Sequence, residues 1–344
     1  MASPQLEVRP LTLNEIKLLR LYNQHLLHPT DTQTVVKDLC GVQAQYLAHA
    51  LHGLSIRCEQ VDTENLVKSW TNRGTLHLFS QDDLPLFLHQ GRNYPLRPVD
   101  TMGSDAYLDA TQKAYFADSI LDAVASGIET REALREVCRA KGMTDLEAES
   151  IFNPWGGLLR ALCENGKLCH RVQEPKAFRL CPSFEPMDIA SAQKELLRRY
   201  FTHFGPATIK DASYFFAIPQ KQVKAFLRDL PVSSFQKDNR TFYHIGEKLP
   251  DTDIPKCLFL SGFDQLLLGY EKTESIFLPN EHIRDIFTLA GIVRPAILVN
   301  GTVSGYWNNK NGKLSITLFN PNHRNLVYSS AVALWPNIKQ ITIA

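Results

Sequence analysis

The sequence predicts an α+β chain of tandem winged-helix units (helix-turn-helix plus β-wing), ending in an antiparallel β-barrel-like domain. Three observations carry this. A group of three helical or mixed stretches followed by short strands recurs three times before residue 250. From Pro255 the texture changes to short apolar strand-like runs. Two Asn-Gly pairs, Asn300-Gly301 and Asn311-Gly312, punctuate those runs as hairpin turns. The expected domains are residues 1–106, 107–187, 188–252 and 253–344, within the two to four that 344 residues suggest.

In the first unit, Leu13, Ile16, Leu19, Leu21 and Leu26-Leu27 form a helical stripe, with Thr12 as N-cap. Asp31 caps a second helix running to Cys40, and Gly41 supplies the left-handed residue that ends it. Tyr46–Ile56 is apolar at helical spacing. Asp62 or Thr63 starts another helix through Leu66, Val67 and Trp70, ending near Gly74. Thr75–Phe79 is a strand and first wing, after which Ser80 caps a further helix.

The second unit has helical stretches Tyr107–Ser126, Thr130–Lys141 and Asp145–Glu164, then strands Lys167–Val172 and Ala177–Cys181. The third has Ala190–Phe204, Ile209–Phe216 and Gln220–Leu230, then Ser233–Gln236 and Thr241–Ile245. Gly205-Pro206-Ala207-Thr208 stops one helix and caps the next, and Ile218-Pro219 breaks that one. In the last region the expected strands are Cys257–Leu260, Leu266–Tyr270, Ala296–Val299, Val303–Trp307, Leu314–Phe319 and Asn325–Ala333. A helix is inserted near Glu281–Leu289.

The formal net charge of +1 is unevenly spread. Residues 1–110 carry −3, residues 111–187 carry −1, residues 188–250 carry +4 and residues 251–344 carry +1. Only the third segment offers a modest polyanion-binding surface. There Lys221, Lys224 and Arg228 recur three or four apart, as a recognition helix would present cations to phosphate. A solvated amphipathic face gives the same pattern. The seven cysteines have irregular spacings and no C-x-x-C, which favours reduced thiols in a cytoplasmic protein. Cys163, Cys169, His170 and Cys181 admit a zinc reading, but the 163/169 spacing does not suit it and buried thiols are the preferred reading. No run of eighteen apolar residues or signal-like leader is seen, so neither a membrane span nor export is expected.

Gly41-Val42-Gln43-Ala44-Gln45 is the most informative stretch. A carboxamide donates and accepts at once without titrating. On a regular helix residues i and i+2 lie about 200° apart, so the two glutamines converge only if Gly41 breaks the helix. Gln-x-Gln is also ordinary on a solvated helix face. Asp38 is a competing base, though a helix-surface carboxylate is its simpler reading.

The ordered set of motifs resembles the AlkZ/YcaQ family of bacterial winged-helix DNA glycosylases. The resemblance rests on Gly41–Gln45, on Trp70-Thr71-Asn72-Arg73-Gly74-Thr75-Leu76-His77-Leu78, and on Gly205–Thr208. It continues through Gly262-Phe263-Asp264, Leu268-Gly269-Tyr270, Arg294–Gly301 and Gly305-Tyr306-Trp307. It implies a C-shaped protein of three winged helices and a β-barrel that hydrolyses the N-glycosidic bond of alkylated purines in DNA, crosslinked N7-alkylguanines included. It implies Gln43 and Gln45 as the catalytic Gln-apolar-Gln motif, closer to AlkZ than to its sister group with Asp at the second position. Ser261-Gly262-Phe263 departs from the more usual Pro-Ala-Phe.

The expected activity is that of a monofunctional glycosylase without metal or organic cofactor, acting as a monomer on double-stranded DNA carrying alkylated bases, in the nucleoid. Candidate DNA contacts are His77 in the first wing, for which burial or simple strand packing is the other reading, Lys210, Lys221, Lys224 and Arg228 in the third unit, and Lys310 and Lys313 flanking a hairpin tip. Tyr306 and Trp307 are read either as base-stacking residues or as core. The rival reading is a winged-helix regulator that binds DNA without chemistry.

Overall fold

The computed structural model describes residues 11–71, 74–88, 107–153, 157–246 and 249–344. Asn72 and Arg73 of the second motif, the boundary at residue 106, and residues 154–156 of the expected helix Asp145–Glu164 lie outside the described residues.

The elements run α1 (Leu13–Asn23), α2 (Thr32–Asp38), β1 (Val42–Gln43), α3 (Leu47–Ser55), β2 (Leu66–Trp70), β3 (Leu76–Ser80) and α4 (Leu84–Phe87). Then come α5 (Ala110–Ala125), α6 (Arg131–Ala140), α7 (Asp145–Ile151), α8 (Gly157–Glu164), β4 (Leu168–His170) and β5 (Phe178–Leu180). They are followed by α9 (Ile189–His203), α10 (Ile209–Phe216), α11 (Gln220–Leu227), β6 (Ser233–Lys237) and β7 (Arg240–His244). The last are β8 (Cys257–Phe259), α12 (Gln265–Leu268), α13 (Ile283–Ile286), β9 (Ala296–Val299), β10 (Thr302–Lys310), β11 (Lys313–Leu318), α14 (Arg324–Leu334) and β12 (Gln340–Ile343).

The chain divides into two compact units, and the division falls within α9. One comprises Gly41–Leu47 and Asp62–Leu196, the other the segment up to Cys40, Ala48–Val61 and Leu197–Ala344.

The first of these is organised by a five-stranded sheet of order β1-β3-β2-β4-β5. The expected helix through Leu66–Trp70 is instead the central strand β2, buried at all five positions. A strand covered on both faces has no clean alternation, so its apolar run mimics a helical stripe. β3 is likewise interior, paired with β1 and β2, and is not an outer wing. The β4–β5 hairpin joins the same sheet through Lys68 opposite His170. Helices α5–α8 cover it, burying Phe116, Ile120, Leu134, Ile151 and Leu159 against Trp70, Leu76, Leu168 and Phe178.

In the other unit, α9, α10 and α11 and the β6–β7 hairpin fall where the sequence places them. Thr208 accepts from Asp211 N and caps α10, and Asp238 and Asn239 both adopt positive φ at the hairpin turn. The C-terminal strands form a sheet of order β12-β11-β10-β9-β8, mixed and open rather than a closed antiparallel barrel. Both Asn-Gly turns form, with Asn300, Gly301, Asn311 and Gly312 at positive φ. Two expected strands are helical. Asp264 accepts from Leu266 N and starts α12, and Asn325–Ala333 lies in α14, the crossover that lets β12 pair parallel to β11. One face of the sheet packs on Val327 and Ala331 of α14. The other packs on Leu266, Leu268, Phe277 and Leu21.

Candidate active site

The Gln43-Ala44-Gln45 segment begins where α2 is broken. Cys40 and Gly41 both take positive φ, at 52° and 83°. A Cβ on Gly41 would lie 3.3 Å from Leu78 O and 3.4 Å from His77 Cβ, so both the turn and the close approach require glycine. The chain then runs extended. Val42 pairs with Leu78, Gln43 with His77, and Ala44 N donates to Leu76 O at 2.7 Å. The strand ends at Gln43, and Ala44 is buried between the two glutamines. Gln43 is 9% exposed and Gln45 half-buried in the bend before α3. Among the described residues, neither carboxamide is committed to a hydrogen bond.

His77 is 5% exposed and sits between Gln43 and Ser69 in the ladder. Its Nδ1 donates to Thr75 O at 3.0 Å. Of the two readings of His77, phosphate contact or strand packing, its place is that of a buried strand residue paired with Gln43.

The basic candidates separate into two kinds. Lys221 and Lys224 of α11, and Arg228 at its C-cap, are exposed on the side away from buried Val223 and Leu227. Lys210 is instead held by Glu274 at 2.5 Å and Glu271 at 3.6 Å, and these carboxylates raise its pKa. Lys310 and Lys313 face each other across the β10–β11 turn, both exposed. Lys339, which the sequence did not suggest, lies with its Cδ 3.3 Å from a Cβ built on Gly312. No local signal marks it, because the α14 crossover brings it there. Trp307 is core: its Nε1 donates to Leu260 O at 2.9 Å.

The remaining family-like motifs are structural. Arg57 and Asp264 form a buried pair at 2.7 Å and 3.1 Å, and Ser261 Oγ donates to Asp264 at 3.0 Å. Burial works to raise the Asp264 pKa, but the Arg57 charge and the hydrogen bonds outweigh it and hold the carboxyl below its ordinary value. Gly262 is needed because a Cβ there would lie 2.9–3.1 Å from the ring of His49. The unusual Ser261-Gly262 pair thus has a local reason. Arg20 donates to Pro206 O at 2.8 Å and stacks 3.7 Å over Tyr270, whose hydroxyl donates to Phe204 O at 2.9 Å.

Asp38 is not a solvated helix-surface carboxylate. Its oxygens lie 2.7 Å from His25 Nε2 and 3.2 Å from His203 Nε2. Among the described residues, this is where three metal-ligating side chains converge within 4.8 Å. The Cys163, Cys169, His170 and Cys181 group does not do so. Cys169 instead accepts a hydrogen bond from the free thiol of Cys181, which lowers its pKa, while burial raises that of Cys163. Burial also drives the His170 pKa down to about 3.

The architecture and the break at Gly41 define an α+β protein with two glutamines at and just beyond a short strand end, and comparison with known proteins gives it a family. A family model described as "DNA glycosylase AlkZ-like" matches residues 36–324, and the chain belongs to that family of enzymes acting on N-glycosyl bonds in DNA. An interstrand DNA cross-link repair glycosylase of Streptomyces sahachiroi is 25% identical over 314 residues, 83% of this chain and 84% of that protein. The solved structure of Streptomyces sahachiroi DNA glycosylase AlkZ superposes with a TM-score of 0.77 at 22% identity, covering 97% of this chain and all of that one. Among the described residues, no helix is long and apolar enough to cross a membrane.

Proposed function

We propose that this enzyme hydrolyses the N-glycosidic bond of N7-alkylated purines in duplex DNA, with Gln43 and Gln45 as catalytic residues. The observation that carries the reading is the break at Gly41, after which Gln43 ends a short strand and Gln45 stands in the following bend, so the two carboxamides are not held to opposite faces of a helix. N7 alkylation makes the base cationic, so it departs with the C1′–N9 electron pair and needs no strong acid. The sugar then resembles an oxocarbenium ion. Amide oxygens aimed at that charge lower the barrier, and one of them orients the water that adds to C1′ and gives its proton to solvent.

Interstrand crosslinks made through N7 of guanine contain the same cationic leaving group, and the relative's name supports them as substrates. The helix–hairpin groups bounded at 106, 187 and 252 are read as winged helices and the last segment as a barrel-like domain. Exposed Lys221, Lys224, Arg228, Lys310 and Lys313 are read as phosphate contacts for a monomer, with His77 reassigned to support Gln43. Family membership disfavours a non-catalytic regulator.

The test is incubation with duplex DNA containing 7-methylguanine. Free 7-methylguanine and an intact abasic strand are expected, with no release of unmodified guanine. Gly41–Leu54 contains no lysine to form a Schiff base with the sugar. A borohydride-trapped adduct, or nicking before alkali, would show the hydrolytic reading to be wrong.

A further inference from the structure

A second polar cluster lies outside the glutamine segment, where the end of α1, the end of α2 and the end of α9 meet. Asp38 is the last residue of α2, His203 the last of α9, and His25 follows the C-cap of α1. We propose that His25, Asp38 and His203 form a binding site for a divalent first-row transition-metal ion of the Zn²⁺ type, which pins these three helix ends together.

Four observations carry it. The donor set of two imidazoles and one carboxylate suits such ions. The three ligand atoms already lie within 4.8 Å of one another, against the roughly 3.3 Å edge implied by Zn²⁺ bonds of about 2.0–2.1 Å in a tetrahedral site. A few tenths of an ångström of opening at the two Asp38 contacts, and a smaller gap between the rings, would admit the ion.

The third observation is that His203 has an oxygen opposite each ring nitrogen. Nδ1 faces Asn23 O at 3.4 Å and Nε2 faces Asp38 Oδ1 at 3.2 Å. With an ion at Nε2, Nδ1–H donates to the Asn23 carbonyl, the arrangement that orients metal-bound histidines. The fourth is that His25 is 7% exposed, and the left-handed turn that closes α1, with His25 N donating to Tyr22 O and Leu26 N to Leu21 O, sets its Nε2 beside the Asp38 carboxylate.

The full chain, stripped with chelator and dialysed, would be titrated with Co²⁺ and then Zn²⁺. One Co²⁺ per chain is expected, with weak visible ligand-field bands and no intense near-ultraviolet thiolate band, since the site has no cysteine. Zn²⁺ should displace it and raise the melting temperature. His203→Gln keeps a polar side chain but removes the ligand, and Asp38→Asn removes the charge. Each should weaken binding by more than the ~10–100-fold typical of losing an outer-shell partner, and abolish the Zn²⁺-dependent rise in melting temperature. Circular dichroism confirms that the variants are folded. Absence of saturable binding in folded wild-type protein, binding retained in both variants, or a thiolate band would each overturn the assignment and leave a hydrogen-bonded triad. A variant that fails to fold is replaced by His25→Gln, read by the same spectrum.

Discussion

Gln43 and Gln45 can be set beside Arg57 and Asp264, since Asp264, like the glutamines, comes from a motif shared with the glycosylase family. At Arg57–Asp264 every polar atom is spent. Arg57 donates to Gln24 O, Gly53 O and both carboxylate oxygens, and Asp264 also takes Ser261. At the glutamines the Gln43 backbone is spent in the ladder and, among the described residues, the carboxamides are not. The difference separates two reasons for a polar side chain to persist. A fully satisfied buried pair fixes chain against chain, and its loss is felt in stability. An unspent amide in or beside a short strand end adds little to folding and is free for a substrate.

The largest expected effect follows from breaking the spent pair. Asp264→Ala leaves the Arg57 guanidinium buried without its counter-charge, a loss of about 3–5 kcal/mol, read by urea unfolding. Acid should act the same way. The folded carboxyl titrates below its ordinary 3.8, so its stabilisation is complete above that pH and lost as pH falls further through the folded value. The acid limb of the unfolding curve should flatten in Asp264→Asn. If Asp264→Ala melts like wild type, the pair is not what holds α3 to α12.

Second in size is the effect on rate. Gln43→Ala and Gln45→Ala should each cut single-turnover release of 7-methylguanine by ~10²–10³, while their melting temperatures stay close to wild type. The crossed design sharpens the contrast: Asp264→Ala lowers stability with excision per folded molecule retained, and the glutamine variants do the reverse. Near-normal excision by both glutamine variants would remove them from the chemistry.

How legible this was depends on whether a signal is local. Thr12, Asp31 and Thr208 cap helices through bonds to residues two or three ahead, and both Asn-Gly turns close within four residues. These could be read directly. So could Gly41, whose positive φ is a property of one residue. β2 could not, because its burial is set by β3 and β4 on either side. α14 and β12 could not, because Leu-Val-Tyr gives strand propensity and only a parallel partner makes the intervening segment a helix. The same reason hid Asp38: His25 and His203 reach it from 13 and 165 residues away, and no spacing rule joins them.

The smallest expected effect tests whether the distinction between spent and unspent groups extends to the cations. Lys221 and Lys224 are exposed on α11, with no ion pair among the described residues, whereas Lys210 is already neutralised by Glu274 and Glu271. Binding to DNA releases counterions, and each phosphate that a lysine neutralises adds about 0.9 to the slope of log affinity against log salt. Lys221→Ala with Lys224→Ala should therefore reduce that slope by up to about twice this amount, and weaken binding to all sequences alike, because phosphate carries no base identity. Lys210→Ala should leave the slope close to its wild-type value, since the charge it removes is already balanced by carboxylates that remain. Fluorescence anisotropy over a salt series on two unrelated duplexes measures both. An unchanged slope in the double variant would take α11 off the DNA, and a Lys210→Ala slope as low as that of the double variant would mean that the ion pairs open on binding.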